Sequence, residues 1–253
     1  SGTGPPGTTK SVFVIIDPAG DQFLANWLLQ LGQLFGRKVR VFSNELADFS
    51  HTFPILQAWD LKRQPMKAAA SLFESLFLNQ GWGYAKRFFS LLGDKFCREL
   101  VHLCQKRGIW NPTLNDVRGL LDKVAKQVGY RDTLEAYLAI DLLCEYPQLT
   151  GHAPEEEILI DRAFDDGEIV LFSLSTLLES AARTIGATAA WAFVMGAINR
   201  YRSGQPVNLY LVVDEWSTLA SPSWGELIRL ARKYGVNLIL VTQDCQTSDS
   251  GRK

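Results

Sequence analysis

Cysteine, histidine and net charge are all scarce in this sequence. Four cysteines in 253 residues are too few for a disulfide-stapled scaffold. Cys97, His102 and Cys104 lie close enough in sequence to suggest a metal cluster. On one helix, however, Cys97 and Cys104 would sit about 10 Å apart along the axis, whereas thiolates sharing a zinc need sulfurs within about 4 Å of each other. They read as core or surface thiols. His51, His102 and His152, the three histidines, show no partner pattern and receive no role. Charge of one sign is missing as well: 26 Lys and Arg stand against 27 Asp and Glu, a net charge of -1. That excludes a uniformly basic nucleic-acid coat but not a local basic patch. The longest uncharged apolar run, residues 184–198, has fifteen residues, short of the roughly 18–20 needed to cross a bilayer. No signal-peptide pattern opens the chain, so the sequence reads as a soluble polypeptide.

What is present is a large supply of core. Hydrophobic residues make up 47% of the chain and charged residues 21%, with seven Trp and fourteen Phe, which excludes wholesale disorder. The length fits one large domain, or a core carrying an insertion.

Two textures alternate. Short apolar, β-branched runs occur at residues 11–16 (SVFVII), 38–42 (KVRVF), 168–174 (EIVLFSL), 208–213 (NLYLVV) and 237–241 (NLILV). The last two are apolar at consecutive positions, as in strands buried on both faces of a parallel sheet. Helical patterns at 23–34, 177–201 and 224–233 lie between most of them, which predicts βαβ units with helices on both faces. The helix at 177–201 is rich in Ala and Gly and reads as a central packing helix.

The middle of the chain breaks this alternation. From about residue 68 to 146 only helical texture remains. Tyr84, Phe88, Leu92, Phe96, Leu100 and Leu103 form a stripe along one face. Thr113 caps a second helix, with Asp116 completing a capping-box-like start and Leu114, Val117, Leu120, Leu121, Val124 and Val128 as its apolar face. A third helix is expected over about 132–146. The organisation expected is a linker or leader at 1–10, an α/β core at 11–67 and 147–253, and an all-helical insert at 68–146. Residues 86–131 carry ten Lys and Arg against four acids, a net +6, while residues 132–168 carry eleven acids against Arg162 alone, a net -10. The basic faces, with Lys86, Arg87, Lys95, Arg98, Lys106 and Arg107, suit a polyanion, and no base-reading motif accompanies them.

The sharpest chemical signal is the run at 208–215 (NLYLVVDE). A buried strand ending in two carboxylates is the Walker B pattern of P-loop ATPases. Asp214 at the tip could hold Mg²⁺ near the β- and γ-phosphates, directly or through water. Glu215 could orient and polarise the attacking water. The next strand ends in Thr242-Gln243, where a Gln can contact the γ-phosphate. Ile16-Asp17-Pro18-Ala19-Gly20-Asp21 is a third strand end, placing Asp17 and Asp21 at the same sheet edge, where open α/β sheets bind ligands.

Taken in order, Ile16-Asp-Pro-Ala-Gly-Asp21, Arg40-Val-Phe42, a helical block, Asp166-Gly-Glu-Ile-Val-Leu-Phe172, Leu211-Val-Val-Asp-Glu-Trp216, Ala231-Arg-Lys-Tyr-Gly-Val236 and Val241-Thr-Gln243 resemble the motor domain of type IV secretion coupling proteins, the conjugative TraG/TraD-type ATPases. The resemblance runs from about residue 11 to 243. It implies a RecA-like P-loop NTPase core, a mostly parallel sheet and an inserted all-helical subdomain that contacts DNA or substrate adaptors. It further implies ATP and Mg²⁺ as cofactors, assembly as a homo-hexamer, and secretion-channel components as partners. The location implied is cytoplasmic, with the full-length protein attached to the bacterial inner membrane. Asp214 and Glu215 match Walker B, Gln243 the sensor glutamine, and Arg232 the position of an arginine finger reaching a neighbour's nucleotide. The other reading of Arg232 is a helix C-terminal cation.

One departure is plain. The family's P-loop precedes the Ile16-Asp17 strand by a helix. Residues 4–11 (GPPGTTKS) almost spell G-x-x-x-x-G-K-S, but Thr9 replaces the second Gly and a strand follows where a helix N-terminus should cradle phosphate. The chain therefore reads as a fragment trimmed at both ends, inactive alone. Two alternatives stay open: a secretion-system assembly ATPase with a similar core, and a non-hydrolysing adaptor that retains the fold.

Overall fold

The computed structural model describes residues 10–45, 49–57, 61–62, 87–150, 156–175, 179–219 and 223–242. Five strands form the framework: β1 (Val12–Asp17), β2 (Val39–Ser43), β3 (Ile169–Ser173), β4 (Leu209–Val213) and β5 (Val236–Leu240). Each lies within one or two residues of an apolar run in the sequence. The sheet order is β2-β3-β1-β4-β5, and every pairing is parallel.

Helix α1 (Gln22–Leu34) connects β1 to β2. Between β2 and β3 lie α2 (Arg87–Lys106), α3 (Leu114–Val128), α4 (Tyr130–Leu143), a 3₁₀ turn at Pro147–Leu149 and the short α5 (Ile160–Asp166). Then α6 (Glu179–Arg202) joins β3 to β4, while α7 (Trp216–Leu219) and α8 (Ser223–Lys233) join β4 to β5.

Helix α3 starts where its sequence says it should. The Thr113 side chain accepts from the Asp116 amide at 3.2 Å, and the Asp116 carboxylate accepts from the Thr113 amide at 2.9 Å. Two of the donors left open by the first turn are thereby satisfied. Phe96, Leu100 and Leu103 on α2 are buried, as is the apolar face of α3. Tyr84 lies outside the described residues, as do the side chains of Phe88 and Leu92. Cys97 and Cys104 are buried in the same layer, and burial pushes the Cys104 thiol up to about 11. The buried side chains of α2–α4 are continuous with those beneath the sheet, so the helical block shares one core with the strands.

Alternation along the strands sorts the two faces. Val12, Val14 and Ile16 of β1 and Leu209, Leu211 and Val213 of β4 face α6 and are buried. Helix α6 is apolar and long enough to cross a membrane by length and composition, yet 89% of its apolar window is buried inside the protein. It is the central core helix, and Gly196 lets it lie close to α5, where a Cβ would come within 2.4 Å of Ile160. On the other face α1 packs through Leu24, Ala25 and Leu28 over β2 and β3. Beyond it Phe13, Ile15, Tyr210 and Val212 are only half-buried, and Ile239 is 46% exposed.

At the amino edge of the sheet, Arg40 Nε donates to both Glu168 oxygens at 3.1 Å, with both side chains fully buried. His51, which carries no signal in the sequence, packs beside this pair. Its Nδ1 lies 3.2 Å from the Val41 amide, from which it accepts when unprotonated, and 3.1 Å from the Val41 carbonyl, to which it donates when protonated. Burial holds the imidazole below its usual range.

Candidate functional site

The connections place a switch point in the sheet. From β1 the chain crosses by α1 toward β2, while from β4 it crosses by α7 and α8 on the opposite face toward β5. Neighbouring parallel strands whose following helices diverge in this way open a crevice at their carboxyl ends. Here those strands are β1 and β4, and the residues at their tips are Asp17 and Asp214.

Register aligns a polar row along that edge. Ser43 pairs with Ser173 and Ser173 with Asp17. One step beyond Ile16↔Val213, the Asp214 amide donates to Ile16 O at 2.9 Å. The row ends at Val241, whose amide donates to Val213 O at 2.9 Å and whose carbonyl accepts from the Trp216 amide at 2.7 Å. Ser43, Asn44, Ser173 and Ser175 are buried at this edge, with Asn44 accepting from the Ser175 amide at 2.8 Å. Sequence reading missed these four. The available signal was a polar residue ending each apolar run.

The carboxylates have different tasks. Asp17 is buried, and its two oxygens accept from the Ala19 and Asp21 amides at 2.8 Å each. Asp21 is exposed and caps α1, accepting from the Phe23 amide at 2.7 Å. Both residues thus build the turn from β1 into α1. A strand–turn–helix junction can hold phosphate on its open amides, but here a carboxylate of the chain already occupies two of them.

Asp214 and Glu215 are half-buried at the tip of β4. One Asp214 oxygen accepts from the Glu215 amide at 2.9 Å; the other accepts no hydrogen bond among the described residues. Glu215 has φ 42°, the only non-glycine positive φ among the described residues. That left-handed conformation costs a non-glycine residue roughly 1–2 kcal/mol, and such strain gathers at functional sites. Immediately after it, Trp216 packs edge-on against the buried Trp224 with centroids 4.8 Å apart, fixing the turn from below. A rigid tip thus presents one free carboxylate oxygen and a second carboxylate beside it, the donor set that a hard oxygen-seeking cation such as Mg²⁺ accepts.

Gln243 lies outside the described residues, as do Lys86, the side chain of Arg87 and the sequence at 1–9. Arg232 is exposed in the last turn of α8. Because α8 runs back from the tip of β4 to the start of β5, Arg232 sits at the amino edge of the sheet, away from Asp214. Lys95, Arg98 and Lys106 on α2, and Arg107 in the turn after it, are all exposed. Arg98 pairs with Asp94 one turn earlier at 2.7 Å. Lys95, Arg98, His102 and Lys106 follow helical spacing along one face, opposite the buried side.

Five parallel strands with helices on both faces form an α/β fold, and that fold matches solved RecA-like P-loop NTPase structures. Within that class the chain is similar in three dimensions to solved type IV secretion ATPases. Against the conjugative coupling protein TrwB in complex with ADP and Mg²⁺, the TM-score is 0.53 at 12% identity, over 92% of this chain and 63% of that one. Against TrwB bound to sulphate it is 0.53 at 14% identity over the same shares. Against VirB4 of Thermoanaerobacter pseudethanolicus it is 0.55 at 15% identity, over 90% of this chain and 86% of that one. The chain thus spans about 63% of the length of the TrwB structures. The sequence matches no protein-family model and no curated protein.

Proposed function

We propose that this chain is part of the motor of a type IV secretion coupling ATPase, which recruits DNA or protein substrates and drives their transfer with ATP. The observation that carries this reading is the Asp214-Glu215 pair, held in a strained turn at the crevice between β1 and β4. Asp214 would hold Mg²⁺, directly or through water, and the ion would offset charge on the β- and γ-phosphates. Glu215 accepts a proton from, and orients, the attacking water. Gln243, next after Thr242, is assigned to the γ-phosphate. Arg232 serves as a finger only for a neighbour's nucleotide, consistent with a homo-hexamer whose sites lie between subunits.

The metal and water side of a nucleotide site fits these residues; the phosphate cradle does not. Lys10 and Ser11 lead into β1 rather than a helix, and the Ala19 and Asp21 amides are already occupied by Asp17. The cradle is therefore assigned to polypeptide other than the described residues. The helical block, taken as the insert at 68–146, offers the α2 cations to DNA or to substrate adaptors. Cytoplasmic placement, with attachment of the longer protein to the bacterial inner membrane beside channel components, belongs to the same proposal.

The experiment is MgATP binding by calorimetry and hydrolysis by phosphate release, on the native-length protein and its Glu215→Gln variant. Turnover is expected to fall at least about a hundredfold while binding persists, and Lys10→Ala is expected to leave binding unchanged. Unchanged turnover in Glu215→Gln would leave a non-hydrolysing adaptor instead. Loss of binding in Lys10→Ala would make residues 4–11 the cradle. A second reading, a secretion-system assembly ATPase, is favoured by the larger share of the VirB4 structure that this chain spans.

A further inference from the structure

The amino edge of the sheet, opposite the acidic crevice, carries a surface of different chemistry. Helices α6 and α8 both end there. Gly235, with φ 73°, places its turn beside the loop before β4, where a Cβ would lie 3.7 Å from Val207 O. Tyr201 and Tyr234, 33 positions apart in sequence, meet edge to face with centroids 5.5 Å apart. Arg202 lies 5.9 Å and Lys233 5.3 Å from the centre of the Tyr234 ring. Hydrogen bonds from Arg202 and, more weakly, Lys233 also hold the Tyr234 hydroxyl below the usual phenol range. Tyr201 is 57% exposed, so its outer surface is open.

The charge here is not neutralised locally. Neither residues 198–213 nor residues 227–242 contain an acid. Arg200 is held by Asp165 at 2.7 Å, whereas Arg202, Arg232 and Lys233 form no ion pair among the described residues. Two helix C-termini bring about half a negative charge each, which leaves close to two of those three positive charges uncompensated. Helix capping alone therefore does not account for the cluster. Tyr234, the ring the cations edge, is itself buried. The open face is that of Tyr201, which packs against it, and an exposed ring with cations one ring away can take a nucleobase face and its phosphate together.

We propose that Tyr201, Arg202, Lys233 and Tyr234 form a docking surface for single-stranded nucleic acid, with a base stacked on Tyr201 and phosphates on Arg202 and Lys233. The surface recognises no sequence, because a stacked base offers its π-face whatever its identity. It is separate from the Asp214 crevice and from the cationic face of α2, and it does not depend on the nucleotide reading.

The test is fluorescence anisotropy of a labelled 20-nucleotide oligothymidine titrated with this chain across a salt series. Arg202→Ala/Lys233→Ala is expected to weaken binding at least tenfold and to reduce the slope of log affinity against log salt by about 1.4. Tyr201→Ala should weaken it about tenfold, while Tyr201→Phe, which keeps the ring, retains it. Lys95→Ala/Lys106→Ala on α2 serves as the comparison. If only that pair matters, or neither pair does, the proposal is overturned. It also fails if the Arg202/Lys233 variant instead loses binding to phosphatidylserine vesicles with oligothymidine affinity unchanged. A second readout needs no variant: an oligonucleotide carrying 5-iodouracil should photo-crosslink within the peptide containing Tyr201, and crosslinks confined to α2 would count against the surface.

Discussion

Glu215 is held in a backbone region that glycine occupies without strain, so stability and function pull on it in opposite directions. Replacing it with Gly relieves roughly 1–2 kcal/mol of left-handed cost, partly offset by about 0.5–1 kcal/mol of added chain entropy in the unfolded state. The expected outcome is a melting temperature higher by about 2 °C and, under the proposed ATPase function, loss of MgATP turnover because the second carboxylate is gone. Glu215→Ala, which keeps the strain, should show no such gain in a thermal melt. His51 gives a second residue-scale expectation. Burial is the first cause of its lowered pKa; Arg40 lowers it further, while the Val41 backbone bond, Glu168 and Glu156 oppose. The unfolded chain therefore binds a proton at a pH where the folded chain does not. This contribution is fully present above about pH 6.5, the unfolded value, and is lost as pH falls through the lower folded value. Thermal melts from pH 7.5 to 5.5 should show that slope, and His51→Gln should flatten it.

At the scale of elements, periodicity reports well on what is local. The five apolar runs became strands, and Thr113 and Asp116 became the capping box because three residues of spacing suffice to define it. Thr113→Ala should cost about 1 kcal/mol, read as a lower denaturant midpoint with an unchanged slope. Nonlocal facts were not legible. The string Asp-Pro-Ala-Gly-Asp does not disclose that Asp17 spends both oxygens on its own turn, since that depends on how the chain bends after β1. Nor does spacing reveal that Tyr201 and Tyr234 touch, because two helix ends converge only once α6 and α8 pack on the same face. The acid pair at 214 and 215 could be located from sequence, as a strand-terminal motif. Its strained backbone could not, for nothing in the residue types demands a positive φ at a glutamate.

For the whole molecule, strand order governs what any one part can do alone. Placing β1 at the middle of the sheet puts Asp17 and Asp214 side by side and thereby creates the crevice, but it also leaves β1 waiting for two neighbours that are both made much later in the chain. Val12 pairs with Leu209, 197 positions later, and its other neighbour, β3, begins only at Ile169. During synthesis at about 5–20 residues per second, β1 emerges roughly 10–40 s before β4 has been made. Throughout that interval an apolar, β-branched segment has no partner on the β4 side, and pairing it requires closing one of the longest loops in the chain. The same topology that builds the site therefore makes this protein a slow folder, exposed to aggregation while it is being made and dependent on whatever shields a waiting strand.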